Sequence, residues 1–300
     1  MRFQNVLIDD TFAEAFPMWV SRLIITADTP RLALQAAQVA AGLATSIIGC
    51  GCEAGLEGAA DPAETPDGRP GHVLLLFSYS PEKLEDQLFL RIGQGILPSA
   101  TSACFNGLQA ERMAKLGGKM RYFGDGFQSS KLLEGRRFWR LPVADGEFVV
   151  EESFGIGQGV GGGNLILIGG MRKAVLEAAE AAADAIRSVR GAIAPFPGGV
   201  CRSPSKPGSK YKNVRASTNQ VYCPTLRSRV ETLLPPGGKT AYELVIDGLS
   251  EDIVRQAMRA ALLAACQPDV LLITAGNYGG KLGPYHLYLH KILEDPGQCE

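Results

Sequence analysis

Four stretches of the chain repeat one pattern: an apolar run of strand length, a short polar corner, then an Ala/Leu-rich segment with helical periodicity. They are RLIITADTP with RLALQAAQVAAGLA from Arg22, HVLLLFSYSP with EKLEDQLFLRIGQG from His72, NLILIGGM with RKAVLEAAEAAADAIRSV from Asn164, and YELVIDGLS with EDIVRQAMRAALLAA from Tyr242. The corners carry helix-starting chemistry: Asp28 or Thr29 before Pro30, Ser80 before Pro81, and Ser250 before Glu251 and Asp252. In the last unit Ile253, Ala257, Met258, Ala261 and Leu262 share one face. Further strands are predicted at Thr45–Cys50, Ala192–Phe196 and Val270–Ala275, the last followed by PYHLYLH. Two βα units per half, with extra strands returning antiparallel, make a split βαβ arrangement. The prediction is an α+β protein of two ferredoxin-like lobes from internal duplication, residues 1–157 and 158–300, with helices on one face of each antiparallel sheet.

The halves are expected to meet near Gly155–Gly163, inside GIGQGVGGGN. Gly157, Gly159 and Gly162 satisfy the dinucleotide fingerprint as text, but the strand LILIGG follows where the fingerprint needs a helix N-terminus. Close backbone approach, to the other lobe or to a bound coenzyme, is the expected use of these glycines. DDTFAEAF (Asp9–Phe16) reads as helix capping from Asp10, and Pro66-Asp67-Gly68 as a turn before the strand at His72. FGDGFQ (Phe123–Gln128) combines Gly turns with two aromatics suited to a ligand or partner.

Three hundred residues, 46% hydrophobic and 20% charged, suit about two globular domains. A net charge of −1 gives no global field for nucleic acid or an anionic membrane. No run approaches a membrane span, and MRFQNVLIDD has no apolar signal core, so a cytoplasmic location is expected. The seven cysteines (Cys50, Cys52, Cys104, Cys201, Cys223, Cys266, Cys299) are scattered and read as small hydrophobes or inert thiols. His286 and His290 are four apart, but HLYLH alternates as a strand would, spreading them ~13 Å. No metal site is expected.

The segment Phe196–Leu226 is too long and too rich in Gly, Pro, Ser and Lys for an ordinary connector, yet Phe196, Val200, Tyr211, Val214, Val221 and Tyr222 punctuate it. Its charges are all positive: Arg202, Lys206, Lys210, Lys212 and Arg215, with no Asp or Glu before Glu231. A long cationic loop with short donors Ser203, Ser205 and Ser209 points to an anionic ligand, a solvated cationic face being the alternative. Asn219 and Asn277 follow small residues near turns, where turn-forming Asn is the plainer reading. Glu243, in YELVI, shares a strand face with Val245 and opposes Tyr242, Leu244 and Ile246. Apolar flanks would desolvate its charged form and raise its pKa towards neutral protonation. The residues alone allow a catalytic carboxyl and a rim glutamate equally.

FPGG, SKPGSK, ASTN and YCPT, followed in order by YELVIDGL and AGNYGGKLG, resemble the formylmethanofuran–tetrahydromethanopterin formyltransferase family. The resemblance extends through DDTFAEAF, EAGLEG and ETPDGRPG (Glu53–Gly71), FGDGFQ and GEFVVEESFGI (Gly146–Ile156), nearly the whole chain. It implies transfer of a formyl group between methanofuran and tetrahydromethanopterin, as coenzyme substrates with no tightly bound cofactor. It maps the family's proposed catalytic carboxyl onto Glu243. It implies that Arg202, Ser203, Ser205, Lys206, Ser209, Lys210, Lys212, Arg215 and Asn219 receive the coenzymes' anionic tails. It also implies a homo-oligomer, usually tetrameric, or a place among hydrolase-complex subunits. Archaeal members are typically strongly acidic; this chain's balance suits a bacterial methylotroph. Formyl transfer is acyl transfer between amines and needs neither metal nor enzyme nucleophile, consistent with the lack of a GxSxG elbow. A ligand-sensing or scaffold subunit on the same lobes is the competing reading.

Overall fold

The computed structural model describes residues 1–294, so Cys299 lies outside the described residues. The chain opens with antiparallel β1 (Arg2–Phe3) and β2 (Val6–Ile8), then the long β3 (Phe12–Thr26). It forms two compact units: Met18–Gln158, and Met1–Pro17 together with the chain from Gly159 on. DDTFAEAF therefore opens a strand and not a helix. Asp9 accepts a hydrogen bond from Thr274 Oγ1 at 2.7 Å, and Phe12 to Ala15 pair with another strand.

In the unit Met18–Gln158, β3 leads through a Thr29-capped corner into α1 (Pro30–Ala41). A one-turn α2 (Ile47–Cys50) precedes β4 (Glu53–Ala60). The strand expected at Thr45–Cys50 is thus this helical turn: Glu53 Oε1 accepts from Ile47 N–H, and Gly51 ends it at φ +79°. β5 (Gly71–Ser78) runs through Ser80 into α3 (Pro81–Arg91), and β6 (Ala103–Asn106) completes the repeat. Strand order β6-β3-β5-β4, all antiparallel, is that of a ferredoxin-like lobe. Leu23, Ile25, Leu74 and Leu76 meet the apolar faces of α1 and α3, and each hydroxyl cap adds about 1 kcal/mol. After β6 come β7 (Arg112–Ala114), α4 (Leu116–Met120), β8 (Ser129–Leu133), β9 (Arg136–Val143) and β10 (Gly146–Glu151), the last parallel to β6.

The glycine-rich run is part of one strand, β11 (Phe154–Gly169). A Cβ on Gly155 would lie 2.0 Å from Leu108 O, so only glycine permits that approach. From Gly159 on, β11 belongs to the second unit and leads into α5 (Arg172–Arg187) and β12 (Ala192–Ile193). The strand expected to reach Phe196 stops after Ile193, two residues before Pro195, which has no N–H to continue a ladder. β13 (Thr240–Gly248), α6 (Glu251–Ala265) and β14 (Val270–Thr274) repeat the first unit's plan. The order β12-β13-β11-β14, again antiparallel, is the same ferredoxin-like order. Leu165, Leu167, Leu244 and Ile246 pack under α5 and α6. β2 adds parallel to β14, and β15 (Tyr285–Tyr288) pairs with Phe12–Ala15. The strand expected through HLYLH ends at Tyr288, and α7 (Leu289–Glu294) carries His290, whose ring reaches Ile8 O and the N-terminal amine.

Candidate active site

In both repeats one sheet face is covered by helices, and the opposite faces differ in chemistry. In the first, Ile24 lies opposite Val73 on one side and Phe105 on the other, and Phe105 meets Phe138 with ring centroids 5.9 Å apart. The second has the same register, with Ile166 opposite Glu243 and Thr274. Val73 and Phe105 thus correspond to Glu243 and Thr274: an apolar surface in one repeat is polar in the other. Arg22, opposite Leu75, corresponds to Asn164, opposite Val245, and is neutralised by Glu57 at 2.6 and 2.9 Å. Asn164, Glu243, Asp247 and Thr274 are all buried. Buried polar groups are costly unless partnered, so their concentration on one helix-free face marks a site.

Glu243 is 2% exposed. Its backbone pairs with Cys201, N–H to O at 3.1 Å and O to N–H at 2.7 Å. Its side chain is held by Ser205, whose backbone N–H and Oγ both donate to Oε2 at 2.8 Å. Between them the chain folds back through buried Pro204, with Cys201 Sγ on Ser203 O at 3.0 Å. Burial, reinforced by the Glu243 charge, pushes the Cys201 thiol up to about 11, so it stays a neutral thiol. Tyr222 packs with Ile166, Ile168 and Leu234 on this face. Burial, then the charges of Asp9 and Glu243, push its phenol up to about 12, so it remains an O–H donor at neutral pH.

The next loop is built on two side chains. Asn164 Oδ1 accepts from Gly276 N–H at 2.6 Å, while its Nδ2 donates to the carbonyls of Gly276 and Gly162. Glu14, 2% exposed, gathers the backbone N–H groups of Tyr278, Gly280, Leu282 and Gly283. Burial pushes the Glu14 carboxyl up, but these four donors outweigh it and leave its pKa below the ordinary value. Asn277 Nδ2 donates to Thr11 Oγ1 and Phe12 O, so AGNYGG is fastened to β3 as well as turned. Asp247 Oδ1 accepts from Gly162 N–H at the bulge in β11.

The basic loop divides into a fastened base and an exposed end. Lys206 Nζ donates to Gln220 at 2.5 Å, and Asn219 Nδ2 to Ser205 O at 3.2 Å. Lys206–Ser217 is a small hairpin closed by Gly208 N–H to Arg215 O and Ser217 N–H to Lys206 O. Ser209 caps its tip by accepting from Tyr211 N–H, and Lys210, Lys212 and Arg215 project exposed from it. Arg202 is exposed before Ser203, which meets Thr218 Oγ1 at 3.4 Å. Ser205 and Asn219 thus hold Glu243 and the loop base. Tyr222 and Glu14 read in the sequence without a role in the site, and Thr274 and Asn164 are given none there, because their convergence depends on register across strands. Among the described residues no three His, Cys, Asp or Glu side chains come together as a metal would need, and no helix is long and apolar enough to cross a membrane.

The fold and this face define a duplicated ferredoxin-like α+β enzyme class with a buried carboxyl under a cationic loop. Family models match both halves: residues 1–143 match the formylmethanofuran-tetrahydromethanopterin formyltransferase model, and residues 146–292 its proximal-lobe model. The chain belongs to the formylmethanofuran–tetrahydromethanopterin formyltransferase family, and it is an enzyme and not a scaffold. It is 50% identical to the formyltransferase of Methylococcus capsulatus, covering 98% of this chain and 100% of that protein. The Methanopyrus kandleri enzyme is 47% identical with the same coverage. A solved formyltransferase/hydrolase complex from Methylorubrum extorquens with methylofuran matches at TM-score 0.95 and 48% identity, covering 99% of both chains. The Methanosarcina barkeri formyltransferase structure matches at 0.93 and 45%, covering 97% of this chain and 100% of its own.

Proposed function

We propose that this chain moves a formyl group between the amine nitrogen of a methanofuran-type carrier and N5 of a tetrahydromethanopterin-type carrier, with Glu243 as the catalytic carboxyl. The supporting observation is a buried Glu243 whose Oε2 is filled by Ser205 on a polar, helix-free face. The receiving nitrogen attacks the formyl carbon and the carbonyl electron pair moves onto oxygen. A protonated Glu243 donates a hydrogen bond to that oxyanion. Collapse restores the carbonyl and breaks the bond to the donor nitrogen, which gains one proton as the incoming nitrogen loses one. Glu243 is suited to pass that proton, and the scheme needs no covalent enzyme intermediate.

Arg202, Lys206, Lys210, Lys212 and Arg215, with Ser203 and Ser209, would receive anionic coenzyme tails by charge-assisted hydrogen bonds. No tightly bound cofactor is required. The Methylorubrum relative, named as a formyltransferase/hydrolase complex subunit, supports a hydrolase-complex partner here. A cytoplasmic location and, in a methylotroph, a run towards formylmethanofuran belong to the same proposal. So do a homo-oligomer, as the family resemblance implies, and a lobe boundary at 157/158. Formyl-tetrahydromethanopterin and methanofuran are mixed with the purified chain, and loss of formyl-pterin absorbance is followed. Enzyme-dependent transfer is expected, and Glu243→Gln should lower kcat by about 10²–10³-fold. Retention of most of the activity in that variant would remove Glu243 from the mechanism.

A further inference from the structure

The loop residue nearest the carboxyl has a task different from tail binding. A carboxylate oxygen has two in-plane lone pairs, and those of Glu243 Oε2 accept from Ser205 N–H and Ser205 Oγ–H, each at 2.8 Å. We infer that Ser205 is a positioning residue that fixes the orientation of the Glu243 carboxyl and sets how readily it holds a proton, an inference that rests on the catalytic reading of Glu243.

The surrounding structure is arranged to fix Ser205 itself. Its carbonyl accepts from Asn219 Nδ2 at 3.2 Å, and the next residue, Lys206, is tied to Gln220. Four residues upstream, Cys201 is hydrogen-bonded in both directions to the backbone of Glu243. The segment Cys201–Ser205 thus starts on the backbone of Glu243 and ends on its side chain, so the carboxyl is clamped at both ends by one loop. Hydrogen bonds to the ionised form favour ionisation, so the Ser205 hydroxyl opposes protonation while holding the carboxyl in place. A group that only bound coenzyme would have no reason to direct both donors inward at a buried carboxyl.

Two variants and two readouts test this. Ser205→Ala keeps the backbone donor and loses the hydroxyl; Ser205→Thr keeps both. The infrared C=O stretch of the protonated carboxyl, titrated in the full chain without coenzyme and identified by its loss in Glu243→Gln, reports the proton directly. Ser205→Ala should move that titration to higher pH by about one unit and lower kcat by about tenfold or more, with KM nearly unchanged. Ser205→Thr should restore both to near the parent. An unmoved titration and kcat in Ser205→Ala, or a change in KM alone, would overturn the inference and return Ser205 to coenzyme binding. A moved titration with Glu243→Gln fully active would uphold the clamp while removing Glu243 from catalysis, so the two failures are distinguishable.

Discussion

The side chain of Asn164 and the backbone of Gly276 bind each other twice, Oδ1 accepting the N–H at 2.6 Å and Nδ2 donating to the C=O at 3.1 Å. The pair joins the middle of β11 to the loop that follows β14, beside Ile166 and Thr274. Asn164→Ala would leave both backbone groups without this partner and should cost about 2 kcal/mol. Asn164→Asp should cost more, since it sets a carboxylate against the Gly276 carbonyl. Chemical denaturation checks both, and hydrogen exchange should rise first in residues 276–283.

Glu14 makes the stability of that loop depend on pH. Its pKa in the folded chain lies below its ordinary value of 4.5, because four backbone donors outweigh the effect of burial. The contribution is therefore complete above about 4.5 and is lost as pH falls through the folded value. Glu14→Gln keeps an acceptor but no charge. It should destabilise the chain by about 2 kcal/mol at neutral pH and flatten the acid limb of a denaturation-midpoint profile.

Tyr222 is held neutral by burial and by the charges of Asp9 and Glu243, which put its phenol near 12. Tyr222→Phe should lower kcat if the hydroxyl meets the reacting groups. It should leave the shape of the pH–rate profile unchanged up to about pH 10. A lost alkaline limb below that pH would show that the phenol titrates earlier than its surroundings imply.

The exposed hairpin cations should behave as tail receivers. Replacing Lys210, Lys212 or Arg215 by Ala should raise the KM for an anionic coenzyme by about two- to fivefold each, with kcat retained. The difference from the parent should fade at high salt, as expected for exposed charges.

Gly155→Ala tests the packing that shapes β11. Its Cβ would meet a backbone oxygen, Leu108 O at 2.0 Å, so no side-chain rotation relieves the clash. A loss of about 3 kcal/mol or more, or failure to accumulate as folded protein, is expected.

The four strand-to-helix units were legible because a helix's apolar face and its N-cap are local. Thr29, Ser80 and Ser250 each cap where the pattern placed them. β4 was hidden because EAGLEGAA has few strand-favouring residues and is held as an edge by its pairing to β5. DDTFAEAF misled because Asp10 before Glu14 imitates a cap, whereas Glu14 is the acceptor for a loop more than 260 residues away. Glu243 stood out through its apolar flanks and Ser205 through its loop, but their contact is made across 38 residues and left no local mark.

The cationic loop is inserted in the hairpin between β12 and β13, where the first repeat has only residues 61–70 between β4 and β5. Cys201, Tyr222 and Leu234 within that interval hold to the sheet, but the hairpin 206–217 takes no part in strand register or in the packing of α5 and α6, so the chain separates what must be inherited intact from what is open to change. On the proposed reading, a different coenzyme tail can then be met by rewriting the exposed end at residues 207–216, while Lys206 and the clamp on Glu243 are kept. Grafting that hairpin from a relative with a different tail preference should carry the preference with it and leave the chemistry behind.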